Sequence, residues 1–146
     1  NDVMSRPPRR PDQPFLTRPF TAAIVRTGLL IFLLTLAIFG YYLQAEPAKA
    51  TTMAFTVFIL LQLANALNCR SWRRPFFENL AGNKYLILAL LLALGLHLSI
   101  LSWAPLQTMF GTAALGASDW GILIAAAALM LVQEEAFKRY RTAAED

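Results

Sequence analysis

Three amide side chains share one apolar segment, and their residue types are those that could bind a cation. Gln62, Asn65 and Asn68 recur at every third position of an uncharged run. On an α-helix this spacing places them roughly along one stripe. Amide oxygens are hard ligands that suit a cation, although three amides without a carboxylate form a weak site. The same amides could instead join neighbouring helices by hydrogen bonds, so the spacing leaves a transport site and interhelical packing both open.

Four other polar positions in or beside apolar runs could carry chemistry. His97 is a lone imidazole with no acid in its run, so we expect a hydrogen-bonded packing residue rather than a proton relay. Glu134 and Glu135 are each followed four residues later by Lys138 or Arg139, a spacing typical of ion pairs on one helix. Cys69 follows the amide segment at the predicted membrane boundary, and we expect a free thiol there, with palmitoylation as the alternative.

Catalytic signatures are absent from the sequence. It contains no glycine-rich phosphate loop, no HExxH metal motif and no set of residues for a catalytic triad. One cysteine and one histidine exclude a disulfide scaffold and a zinc module. We therefore expect this chain alone to bind no cofactor and to catalyse no reaction.

The elements that position these residues must lie in a membrane. Apolar residues make up 57% of the chain and charged residues only 15%, and the mean hydropathy is +0.48. Soluble domains average about 45–50% apolar and about 25% charged residues, so this chain has too little polar surface to be solvated all round.

Four runs are long enough to cross a bilayer, whose apolar core of about 30 Å needs about 20 helical residues. They cover, approximately, residues 21–43, 52–68, 84–103 and 119–138. The sequence thus predicts an all-α fold, a four-helix transmembrane bundle within residues 21–140. We expect Gln62 to point into this bundle, because an amide exposed to lipid lacks hydrogen-bond partners.

Basic residues predict the orientation of the bundle. Eleven of the thirteen Lys and Arg residues lie before the first run, between the second run and the first residue of the third (Lys84), or from the last residue of the fourth run (Lys138) onward. Positively charged connections stay on the cytoplasmic side. We therefore expect a cytosolic Pro/Arg-rich loop over 1–20, a cytoplasmic connection over 69–83 and a cytosolic tail over 141–146. Arg26, inside the first run, is expected to reach outward to lipid headgroups. This topology accounts for the basic charge, so the expected partner is the lipid bilayer and not nucleic acid.

Three segments carry distinctive motifs. They are DVMSRPPRRPDQPFLTR (Asp2–Arg18), TMAFTVFILLQLANALNCRS (Thr52–Ser71) and PLQTMFGTAALGASDWGILIAAAALMLVQEEAFKRY (Pro105–Tyr140). In this order they resemble the cytosolic loop after the sixth helix, the eighth helix, and the last external loop with the tenth helix of type II P-type cation-transporting ATPases. The calcium-pump branch is the most similar. With the leucine-rich third run, the resemblance covers essentially the whole chain.

The resemblance implies the C-terminal membrane domain, helices seven to ten, of a pump that exports a cation, with calcium expected, from the cell across its plasma membrane. The parent pump would use ATP and Mg. The remaining helices and cytosolic domains of that ATPase would be partners of this chain. The family's phosphorylation motif and nucleotide-binding domain are not in this sequence.

The resemblance gives one residue a role in the ion path. Gln62 matches a position of the eighth helix that is a glutamate ligand in pumps similar to the sarcoplasmic-reticulum calcium pump. An amide there removes a negative charge and a bidentate ligand, which favours one ion per cycle.

Two alternatives belong to other functional classes. The chain could be an independent small four-helix transporter or channel that oligomerises around the amides, or a membrane adaptor that binds another membrane protein. A channel predicts ion flux from the purified chain, whereas a pump domain predicts a longer polypeptide with a catalytic aspartate.

Overall fold

The computed structural model describes residues 18–69 and 84–145, and these residues contain five α-helices and no strand. The helices are α1 (Arg18–Ala45), α2 (Pro47–Cys69), α3 (Lys84–Ser102), α4 (Ala104–Phe110) and α5 (Ala117–Glu145). The predicted all-α class is therefore confirmed. The predicted cytosolic loop over 1–20 and the predicted connection over 69–83 lie almost entirely outside the described residues.

Four of these helices are long and apolar enough to cross a membrane. They contain the candidate spans Phe20–Ala45, Pro47–Cys69, Lys84–Ser102 and Ala117–Lys138. Four spans were predicted, and each of them overlaps one of the predicted runs. Helix α5 continues as a helix to Glu145, through most of the predicted tail over 141–146.

Helix α4 was not predicted. Its seven residues lie within the connection between the third and fourth spans, where the sequence indicated only a loop. Pro105 lies in its first turn, a position where proline costs no hydrogen bond. Gly111 ends it with φ of 63°, a left-handed conformation that glycine adopts without strain. Proline and glycine at these two positions are the sequence features from which this short helix could have been predicted.

Helix α2 is at the centre of the packing. Met53, Val57 and Leu61 recur along one face of α2 and form an apolar cluster with Ile31 of α1 and Met130 of α5. Helices in lipid associate through close packing and interhelical hydrogen bonds rather than through exclusion from water. Helices α1 and α5 therefore pack on α2, while their outward residues are exposed and match a lipid environment.

Helix α3 is attached to the others mainly through His97. His97 and Leu101 are its buried residues. The Nε2 atom of His97 lies 3.2 Å from the hydroxyl oxygen of Thr56 on α2, and the imidazole meets the ring of Phe55 edge-on at 5.0 Å. The expectation that His97 is a hydrogen-bonded packing residue is confirmed.

Asp119 joins three helices at one end of the bundle. Its carboxylate is buried and accepts hydrogen bonds from the Tyr42 hydroxyl at 2.6 Å, from Lys49 Nζ at 3.1 Å and from the Gly116 backbone N–H at 2.7 Å. A buried carboxylate is tolerated in an apolar surrounding only when it is paired and hydrogen-bonded. These contacts connect the end of α1 and the start of α2 to the start of α5.

Candidate functional site

Gln62 lies on the outside of α2, in a groove between α1 and α2. We name this the α1–α2 groove. It has a volume of about 430 Å³ and its lining includes Gly28, Phe32, Thr35, Leu36, Phe39, Ala54, Phe58 and Gln62. The expectation that Gln62 points into the four-helix unit is wrong. The neighbouring Leu61 occupies the interior position, and one helical residue turns the next side chain by about 100°, so Gln62 faces outward.

The groove is apolar apart from two side chains. Thr35 and Gln62 are the polar residues of its lining. The hydroxyl of Thr35 is buried and has no hydrogen-bond partner within the described residues. Gln62 is therefore the exposed polar side chain of the groove, and its amide can bind a polar atom or an ion that approaches from outside this unit.

The two asparagines of the amide stripe are more buried than Gln62. Asn65 is half-buried, and its Oδ1 atom accepts a hydrogen bond from the Cys69 thiol at 3.5 Å. Asn68 is buried, and neither atom of its amide has a hydrogen-bond partner in the part of the chain that is described. Steps of three residues fall short of a full helical turn, so the stripe rotates from the outer surface at Gln62 to the interior at Asn68.

All three amides line a second cavity, which lies between α1, α2 and α5 and has a volume of about 460 Å³. We name this the polar cavity. Its polar lining residues are Arg26, Thr27, Gln62, Asn65, Asn68, Cys69, Glu134 and Lys138. The structure therefore brings the predicted amides, the free Cys69 and one of the two predicted glutamates together around one space.

Arg26 and Glu134 form the charged centre of the polar cavity. The Nη2 atom of Arg26 donates to Glu134 Oε1 at 2.7 Å, and the Thr27 hydroxyl donates to the same oxygen at 2.6 Å. The Arg26 guanidinium also lies 3.6 Å from the centre of the Phe137 ring. The expectation that Arg26 reaches outward to headgroups is wrong, because Glu134 and Phe137 offer it a charge and a ring inside the protein.

The predicted pairing at a spacing of four residues is wrong for Glu134 and stays a prediction for Glu135. Glu134 takes its hydrogen bonds from α1 and from Gln133 Nε2 at 2.6 Å, rather than from a residue four positions later. Glu135 pairs with Lys138 at 3.1 Å, at a spacing of three residues. The side chain of Arg139 lies outside the described part of the structure.

The polar cavity is a hydrogen-bonding space rather than a cation site. Its carboxylate is already neutralised by Arg26, and a divalent cation there would be repelled by the guanidinium. The Nε and Nη1 atoms of Arg26 and the amide of Asn68 have no partners within the described residues, and this favours a polar occupant with hydrogen-bond acceptors. Among residues 18–69 and 84–145 no three His, Cys, Asp or Glu side chains group closely enough to hold a metal.

Comparison with known proteins decides the family. Residues 1–140 match the family described as "Cation transporting ATPase, C-terminus". The chain belongs to this family. The resemblance found in the three sequence motifs is thereby confirmed, and the alternatives of an independent channel and of an adaptor are not favoured.

Similar proteins of this cation-transporting ATPase family are calcium-transporting ATPases from several organisms. One from Bacillus subtilis is 35% identical over 131 residues, which cover 88% of this chain and 15% of that protein. Calcium-transporting ATPase 1 of Schizosaccharomyces pombe is 30% identical over 143 residues, which cover 96% and 16% respectively. Calcium-transporting ATPase type 2C member 2 of Rattus norvegicus is 32% identical over 141 residues, which cover 94% and 15%. The chain thus spans about 15% of the length of these relatives.

This cation-transporting ATPase C-terminal domain is an integral, multi-pass membrane domain with four apolar spans. Gln62 is exposed and lines both the α1–α2 groove and the polar cavity. The Arg26–Glu134 pair is held between the first and last spans. Hydropathy did not predict the contact between Arg26 and Glu134. An arginine inside one apolar run and a glutamate near the end of another were the sequence features that could have indicated it.

Proposed function

We propose that this chain is the C-terminal membrane unit of an ATP-driven calcium pump, and that Gln62 is the one side chain by which it reaches the ion path. The relatives that it matches are named calcium-transporting ATPases. The observation that carries the role of Gln62 is its place in the α1–α2 groove, where an exposed amide interrupts an apolar surface. An amide facing lipid would have no partners, so its exposure favours a face turned toward the rest of the pump.

The groove supplies too few ligands to bind calcium by itself. Calcium takes six to eight oxygen ligands, and the groove offers one exposed oxygen, the Gln62 carbonyl, because the Thr35 hydroxyl is buried. The other ligands would come from helices of the longer polypeptide, which would also bind ATP and Mg in its cytosolic domains. An amide in place of a carboxylate supports transport of one calcium ion per cycle. The four spans of this chain then act chiefly as a support that holds Gln62 in position.

The orientation of the unit follows from its basic residues. Eleven of the thirteen Lys and Arg residues lie in the segments that flank one end of the spans, which supports a cytoplasmic location for both termini and for the connection between α2 and α3. The Arg26–Glu134 pair then lies near the cytoplasmic side, and the Asp119 cluster near the opposite side. We propose the plasma membrane as the site of the pump.

The experiment that tests this function is ATP-dependent calcium uptake. The full-length protein that carries this chain is expressed and inside-out vesicles are prepared from its membrane. We expect uptake of radioactive calcium that requires ATP and is released by a calcium ionophore. Uptake of another cation but not of calcium would contradict the proposed substrate. Ion flux through the protein without ATP would support the channel alternative instead.

A further inference from the structure

Helix α4 and the residue before it present three large apolar side chains that the described residues do not cover. Trp103, Met109 and Phe110 are 61%, 76% and 51% exposed. We name these three residues the α4 apolar surface. Side chains of this size gain free energy when they leave water, and a grouped set of them marks a surface that contacts lipid or protein.

Three polar groups of the same segment bond to the neighbouring helices, whereas the exposed Thr108 hydroxyl donates to the Ala104 carbonyl of α4 itself at 3.0 Å. The Gln107 amide donates to the Leu101 carbonyl, and the Thr112 hydroxyl donates to the Ile100 carbonyl at 3.1 Å. The Ala113 N–H donates to the Thr52 hydroxyl at 2.8 Å, which attaches the segment to α2 as well as to α3. These bonds fix which side of α4 faces outward, so the exposure of its apolar side chains is built into the fold.

The position and charge of the segment define what it contacts. Helix α3 ends at Ser102 and α5 begins at Ala117, so α4 connects two spans at the boundary of the membrane. No charged residue occurs from Trp103 to Ser118. The α1–α2 connection and the first turn of α2, at the same end of the bundle, contrast with it because they carry Glu46 and Lys49.

We propose that α4 lies in the membrane interface and inserts the α4 apolar surface into the lipid leaflet at the end of the bundle that contains Asp119. Leu96 and Leu98, near the end of α3, are exposed as well. Tryptophan is favoured at the level of the headgroups, and methionine and phenylalanine reach the acyl chains below them. Because the segment is uncharged, its insertion requires no anionic lipid.

Spin labelling tests this insertion in the full-length protein. A nitroxide is attached to Met109→Cys, after Cys69 and any other reactive cysteines have been replaced, and the protein is reconstituted in phosphatidylcholine vesicles. Collisions with oxygen, which concentrates in lipid, are compared with collisions with a water-soluble nickel chelate. We expect oxygen collisions to exceed nickel collisions several-fold at position 109. At Glu46→Cys, an exposed position at the same end, we expect the reverse.

Two results would overturn the proposal. Nickel collisions that exceed oxygen collisions at position 109 would place α4 in water. Few collisions with either reagent would show that another polypeptide segment covers the surface. Phe110→Cys supplies a second labelling position if Met109→Cys does not fold. Vesicles with added phosphatidylserine are expected to give the same ratio of oxygen collisions to nickel collisions. Insertion only in such vesicles would contradict the proposal that insertion requires no anionic lipid.

Discussion

The guanidinium of Arg26 contacts the carboxylate of Glu134 at 2.7 Å, although 108 positions separate the two residues in the chain. The contact joins the first span to the last and closes the helices around the polar cavity. Both side chains are largely buried, so each is compensated by its partner. The pair therefore holds α1 and α5 together at the end of the bundle where we place the cytoplasm.

Removal of one partner of this pair should destabilise the protein more than removal of both. Glu134→Ala leaves the Arg26 charge buried without its partner, which costs about 3 kcal/mol. We expect a lower melting temperature for Glu134→Ala and a partial recovery for the double variant Arg26→Leu with Glu134→Leu.

Glu46→Ala is the control for this prediction, because Glu46 is largely exposed and its ion pair with Lys49 contributes about 0–1 kcal/mol. Thermal unfolding of the detergent-solubilised full-length protein, followed by tryptophan fluorescence, measures all three variants. Equal melting temperatures for Glu134→Ala and Glu46→Ala would show that the Arg26–Glu134 contact does not hold the spans together.

The Tyr42 hydroxyl should stabilise the Asp119 cluster. Tyr42→Phe removes a donor at 2.6 Å from a buried carboxylate, so we expect a loss of about 2 kcal/mol. Tyr41 is the adjacent residue and is 63% exposed, so Tyr41→Phe is a matched control that should leave the melting temperature unchanged. Equal melting temperatures for the two variants would show that the hydroxyl of Tyr42 does not contribute to the stability of the protein.

The hydrogen bond between Thr56 and His97 should anchor α3 to α2. Thr56→Val keeps the shape of the side chain but leaves the buried imidazole without its partner at 3.2 Å, and we expect a loss of about 1–2 kcal/mol. Thr51→Val, at an exposed position of the same helix, is the control. Limited proteolysis between α2 and α3 should become faster in Thr56→Val than in Thr51→Val. Equal cleavage rates in the two variants would contradict this anchoring role.

The sequence predicted the four spans and the family but not the contacts among polar residues. Hydropathy measures how apolar a segment is, and it does not report which way a side chain points around the helix axis. Arg26 could therefore be placed in a span but not beside Glu134, and Asp119 could be placed at the start of α5 but not against Tyr42. The amide stripe shows the same limit, because rotation by successive residues leaves Gln62 outside and Asn68 inside.

The central claim, that Gln62 faces the ion path of a calcium pump, is tested most directly by the calcium affinity and melting temperature of one variant. Gln62→Ala in the full-length pump should lose one oxygen ligand, and we expect calcium-dependent ATPase activity to need about tenfold more calcium, which corresponds to about 1.4 kcal/mol. The melting temperature should not change, because Gln62 is exposed in this unit. Asn65→Ala, an amide that bonds to Cys69 of its own helix, should keep the normal affinity. An unchanged calcium affinity with a lowered melting temperature in Gln62→Ala would contradict the claim and reduce Gln62 to a packing residue.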